Sequence, residues 1–101
     1  MDLKNKAAVV TGSSAGVGRA AALKFAERGC SVVINYNRSL TEAEDAAERC
    51  RALGAKAVVV QADVSVEADC RRLIQEAVDA FGRLDVLVNN AAVTRFVEFG
   101  D

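Results

Sequence analysis

The stretch "VVTGSSAGVGRA", residues 9–20, decides how the rest of the chain is read. A run of apolar residues gives out at Thr11, and glycines follow at positions 12, 16 and 18. Glycine admits backbone angles closed to other residues and lets another group approach the main chain closely. Gly12 allows a tight turn, Gly16 removes a Cβ where a diphosphate must reach the backbone, and Gly18 lets a following helix lie close to a sheet. The first N–H groups of that helix lack internal acceptors and, aided by the helix dipole, face the anion. No Gly-Lys-Ser/Thr follows, which disfavours a Walker-type loop. The plainer alternative is a Gly-rich turn with no ligand.

The surroundings favour the phosphate. Four short Val-rich runs, "KAAVVT" (6–11), "SVVINY" (31–36), "KAVVVQA" (56–62) and "LDVLVN" (84–89), suit strands buried on both faces, as in a parallel sheet. Between them lie three helical patterns, each closed by a glycine. The first runs from Gly16 or Val17 to Arg28, with Gly29 as its stop. The second begins near Ser39, which has capping-box spacing to Glu42; Ala43, Ala46, Ala47, Cys50 and Leu53 form its apolar stripe. The third carries Val66, Cys70, Leu73, Ile74, Ala77, Val78 and Phe81 at helical spacing, with Ser65 as the expected N-cap. The order β-α-β-α-β-α-β implies right-handed crossovers and an α/β fold, and it puts the glycines at the first strand-to-helix turn.

Composition limits the alternatives. Of 101 residues, 51% are apolar and 27% charged, which describes a globular chain of one domain or part of one. The net charge of -1, with both signs interspersed, offers no basic field for nucleic acid or a membrane surface. No apolar run approaches a membrane span, and "MDLKNKAAVV" lacks a signal-peptide pattern, so a cytoplasmic location is expected. There is no histidine, and Cys30, Cys50 and Cys70 form no CxxC pair; no metal site is expected, and the thiols read as small apolar residues.

"TGSSAGVG" (11–18), "DV" (63–64) and "NNAA" (89–92) together resemble the motifs of the classical short-chain dehydrogenases/reductases, in order and on the matching elements. The resemblance spans the chain and looks nearest to the 3-oxoacyl-(acyl carrier protein) reductase type. It implies a Rossmann-type doubly wound parallel sheet: its first four strands in the order 3-2-1-4 with three helices, incomplete. Residues 1–101 would be the N-terminal dinucleotide-binding part of one domain. Ser14, Gly16 and Val17 would contact the adenosine ribose and phosphates. Asp63 would accept from the adenine amino group, and the backbone of Val64 would bind the ring. Asn90, Ala91 and Ala92 would line the nicotinamide-side ribose, with Asn89 and Asn90 also tying strands together. Ala92 departs from the family's usual glycine. Without the glycine turn, Asp63 would read as a strand-end turn residue and Asn89-Asn90 as a β-turn.

The choice of dinucleotide turns on the end of the second strand. An NAD site would place Asp or Glu there to hold the ribose hydroxyls. This chain has Tyr36, Asn37 and Arg38, and Arg38 lies 20 residues beyond Gly18. A guanidinium can pair with a 2′-phosphate, and Asn37 and Ser39 can add neutral donors. NADP is therefore expected ahead of NAD, although Ala15 stands where many NADP-using relatives carry a basic residue.

No catalytic residue is assigned. The family's proton transfer needs a Ser and a Tyr-x-x-x-Lys pair. Tyr36 is the only tyrosine, and the residue four beyond it is Leu40. The reading is the N-terminal half of a reductase, partnered by a C-terminal remainder in the same or a separate chain and, when complete, commonly a homotetramer. The alternatives are a non-catalytic dinucleotide-binding fragment or truncated product without turnover, and a Rossmann-like domain for another nucleotide. The fourth strand is expected to be a bare apolar edge, with Val93, Phe96, Val97 and Phe99 left little to bury them.

Overall fold

The computed structural model describes residues 2–90 and the backbone of a short strand at 96–97. The elements run β1 (Ala7–Val10), α1 (Gly16–Glu27), β2 (Ser31–Tyr36), α2 (Leu40–Ala52), β3 (Ala57–Gln61), α3 (Glu67–Phe81), β4 (Val86–Val88) and β5 (Phe96–Val97). β1 to β4 form a parallel sheet in the order 3-2-1-4, as expected, and β5 adds to its end.

The Val-rich runs become strands because both faces of the sheet are covered. Ala8, Val10, Val32 and Ile34 face α1 and α2, while Val9 and Val33 face α3. The layer under α1 and α2 is filled largely by Ala22, Ala26, Ala43, Ala46 and Ala47, whose small side chains bring helix and sheet close together. Cys30 and Cys50 are buried in this same layer and Cys70 is half-buried; all three are free thiols. Across the sheet, Leu73 and Ala77 of α3 meet Val60, Ala62 and Leu84.

Three expectations need correction. Leu53 is 47% exposed instead of ending the apolar stripe of α2. It occupies the C-cap, where the helix has already stopped, and Gly54 at φ +95° turns the chain away. The N-cap of α3 is Val66, 44% exposed, instead of Ser65. The Ser65 hydroxyl is engaged elsewhere, as the site shows. Finally, β4 is not a bare edge: β5 pairs with it antiparallel, Leu87 opposite Val97 and Val88 opposite Phe96. The expected exposure of the side chains of Val93, Phe96, Val97 and Phe99 lies outside the described residues.

Candidate dinucleotide site

The parallel register brings the C-terminal ends of the strands level. Val10 of β1 lies beside both Ile34 of β2 and Val88 of β4, and Tyr36 of β2 lies beside Gln61 of β3. The loops that follow therefore open on one rim of the sheet, where doubly wound folds bind their ligands. Gly12, Arg38, Asp63 and Asn90 each follow a different strand there.

The turn after β1 is held by side chains. Gly12, at φ +60°, donates its N–H to Asn35 Oδ1 at 2.9 Å. Asn35 in turn donates its own N–H to Ser13 Oγ at 2.8 Å, and its carbonyl accepts from Ser13 N at 3.0 Å. Asn35 Nδ2 reaches the carbonyls of Val60 (3.3 Å) and Ala62 (3.2 Å), so one side chain spans β1, β2 and β3. On the other side, the N–H of Asn90 donates to Thr11 Oγ1 at 2.8 Å and Thr11 Oγ1 lies 3.4 Å from Asn89 Oδ1, joining the ends of β1 and β4. Thr11, Ser13 and Asn35 were not among the residues singled out from sequence. The available signal was the one polar residue inside the buried run "SVVINY": Asn35 is only 2% exposed.

The three glycines play distinguishable parts. A Cβ on Gly18 would lie 2.3 Å from the Gly12 carbonyl oxygen and 2.9 Å from Asn90 Nδ2, so α1 can meet the turn only without a side chain there. A Cβ on Gly16 meets nothing within 4 Å, but the residue sits at φ +61°, a left-handed conformation that favours glycine. α1 begins at Gly16 with no side-chain cap and no acidic residue in its first turn. α2 and α3, by contrast, carry Glu42, and Glu67 with Asp69, in theirs. The positive end of α1 is thus left uncompensated beside a bare backbone, and that donor set fits a diphosphate. Ser14 is half-buried beside it, and Val17 is 77% exposed at the rim. Arg19, in the same first turn, is drawn away by an ion pair with Asp45 of α2, which also accepts from Arg49 Nε at 3.2 Å.

Beyond β2, Asn37 and Arg38 are exposed, and Asn37 accepts from Gln61 Nε2 at 3.3 Å through its carbonyl oxygen. Ser39 caps α2 as its spacing to Glu42 implied: Ser39 Oγ accepts the Glu42 N–H at 3.3 Å. The Asp63 carboxylate accepts both the hydroxyl (2.6 Å) and the N–H (3.0 Å) of Ser65 on Oδ1. These bonds, the hydroxyl first, hold its carboxyl below the usual aspartate range, and the charge of Arg38 adds to the effect. Val64 is half-buried, and Ala91 and Ala92 lie outside the described residues. Among the described residues no group of three or more His, Cys, Asp or Glu could hold a metal ion, and no helix is long and apolar enough to cross a membrane.

Known proteins resemble this chain in sequence and fold. The family described as short chain dehydrogenase matches residues 6–101. A short-chain dehydrogenase/reductase homolog of Bacillus subtilis (strain 168) is 44% identical over 101 residues, covering all of this chain and 93% of its own. An uncharacterized oxidoreductase of Methylorubrum extorquens is 50% identical over 94 residues, or 93% of this chain, but the match spans only 38% of its length. The crystal structure of a short chain dehydrogenase from Burkholderia cenocepacia J2315, in complex with NADP, superposes with a TM-score of 0.87 at 39% identity, covering 94% of this chain and 39% of that one. With the glycine turn and the strand-end residues assembled on one rim, the chain belongs to the short chain dehydrogenase family of oxidoreductases.

Proposed function

We propose that this chain supplies the cofactor-binding part of an NADP(H)-dependent reductase acting on a carbonyl, such as that of a 3-oxoacyl group. The observation that carries the NADP preference is Arg38, exposed at the end of β2 where a carboxylate would repel a 2′-phosphate. Asn37, Arg38 and Ser39 hold that phosphate. Ser14, Gly16, Val17 and the first turn of α1 hold the ribose and diphosphate. Asp63 and Val64 receive the adenine, and Asn90, Ala91 and Ala92 receive the nicotinamide-side ribose. When bound, NADPH supplies the hydride that reduces a carbonyl carbon. The residues of this chain bind and orient the dinucleotide and move no proton.

Proton transfer belongs in this reading to a C-terminal remainder, in the same or a separate chain, within a homotetramer. That assignment follows from the lack of any Tyr-x-x-x-Lys pair in the 101 residues. The same lack supports a second reading, a dinucleotide-binding protein without turnover. Titration with NADPH and NADH tests the cofactor. An assay of NADPH oxidation with a 3-oxoacyl thioester, run with and without an added C-terminal half of a short chain reductase, separates the two readings: turnover only in the supplemented assay supports the first. Tighter NADH binding would sink the role of Arg38. Turnover by the 101-residue chain alone would sink the assignment of proton transfer to a remainder.

A further inference from the structure

The turn between β3 and α3 is built to hold one carboxylate still. Val66 donates its N–H to the Asp63 carbonyl at 2.9 Å, closing a four-residue turn. The Asp63 N–H is fixed from α3 by Asp69 Oδ2 at 2.8 Å. Its side chain is then caught by Ser65, whose N–H and hydroxyl both reach the same oxygen, Oδ1. Among the described residues no hydrogen bond reaches Oδ2.

A carboxylate has lone pairs for about four donors, two on each oxygen. Ser65 fills Oδ1 and pins the plane of the group, and the hydroxyl bond at 2.6 Å is of the short, charge-assisted kind. Without that hydroxyl, only the Ser65 N–H would restrain the carboxylate, and it could turn about its bond to Cβ.

We propose that Ser65 is a positioning residue: it presents Asp63 Oδ2 alone to the base, and this hold sets the preference for adenine over a 6-oxo purine. The inference rests on the placement of adenine at Asp63 in the function proposed above. Adenine offers a donor at its 6-amino group. Hypoxanthine offers an acceptor there, and its nearest donor is the N1–H alongside. A pinned carboxylate meets the first and is repelled by the second. A carboxylate free to turn can swing towards N1–H and accept it, so the discrimination falls.

The test is a calorimetric titration of the 101-residue chain with NADPH and with its hypoxanthine counterpart. For the unaltered chain, NADPH binds more tightly. Ser65→Ala is expected to reduce the affinity ratio by about fivefold, the equivalent of one modest hydrogen bond, with the melting temperature unchanged. Ser65→Thr, which keeps the hydroxyl, restores the ratio. Weakening of both ligands by the same factor in Ser65→Ala would mean a structural role only and overturn the proposal. Asp63→Ala separates the two levels. If it leaves the ratio intact, adenine does not sit at Asp63 and both readings fall. If it abolishes the ratio while Ser65→Ala does not, only the role of Ser65 falls.

Discussion

Asn35, at the buried end of β2, and Gly12, in the turn after β1, are joined by a 2.9 Å hydrogen bond from the Gly12 N–H to Asn35 Oδ1. The same side chain donates to two carbonyls at the end of β3 and just beyond it. Asn35→Ala would leave the Gly12 N–H, which is part-buried, and the buried carbonyls of Val60 and Ala62 without that partner. Each such loss costs about 1–3 kcal/mol, and a network of this kind fails as a unit. Chemical denaturation should show a loss of at least about 3 kcal/mol. A loss below about 1 kcal/mol would mean that water replaces the side chain.

Gly18→Ala and Gly16→Ala should fail differently. The first drives a Cβ against the Gly12 carbonyl, a backbone atom that cannot step aside, so about 3 kcal/mol of stability should go, together with nucleotide binding. The second meets open space and pays only for a left-handed backbone, about 1–2 kcal/mol. Thermal unfolding of the two variants ranks them directly; equal destabilisation would contradict the contacts described.

Arg38→Glu should reverse the choice of cofactor. Replacing the guanidinium by a carboxylate removes the partner of the 2′-phosphate and adds a repulsion. NADPH affinity should fall by at least about tenfold while NADH affinity holds or rises. Fluorescence titration with both dinucleotides reads the ratio. An unchanged ratio would return Arg38 to the status of a solvated loop residue.

Asp85 ties the start of β1 to the loop before β4, accepting the Ala7 N–H at 2.9 Å and two bonds of 2.7 Å from Arg83. The Arg83 bonds, with Ala7 adding, hold its carboxyl below the ordinary value of 3.8 despite the opposing effect of burial. A depressed folded pKa means that this stabilisation is complete above 3.8 and is lost as pH falls through the lower folded value. Asp85→Asn should therefore cost about 1 kcal/mol at neutral pH. The difference from the unaltered chain should shrink only in acid below that value. A gap that stays constant throughout the acid range would remove the ionic contribution.

The thiols should report burial. Cys30 is pushed up to about 12, by burial first and by the charge of Asp85 second. Burial also raises Cys50. Both should resist alkylation in the folded chain, with half-buried Cys70 labelled first; mass spectrometry after brief labelling checks the order. Because the folded pKa of Cys30 is raised, its contribution is whole below 9.0 and is lost as pH climbs towards 12. Rapid labelling of Cys30 at neutral pH would contradict the burial.

Elements were legible wherever periodicity and burial agree. β2 and the stripe of α2 through Cys50 could be read residue by residue, because both are decided by neighbours in the chain. The glycine turn could be read because its spacing is itself the signal. Asn35 was not, since its partners Gly12, Val60 and Ala62 lie 23–27 residues away and nothing local marks the pairing. Ser65 looked like an N-cap because local spacing cannot tell a hydroxyl aimed at a helix from one aimed at a carboxylate two residues back. β5 was missed because two residues are too few for alternation to show.

The anchors of the glycine turn all lie downstream of it. Gly12 waits for Asn35, Asn35 for Val60 and Ala62, and Thr11 for Asn90, the last at a separation of 79 residues. Contacts so distant carry a large loop-closure entropy and form slowly. During synthesis the turn leaves the ribosome among the first residues of the chain, yet it cannot be braced on both sides until Asn90 has emerged. What is translated first is completed only once the fourth strand is out.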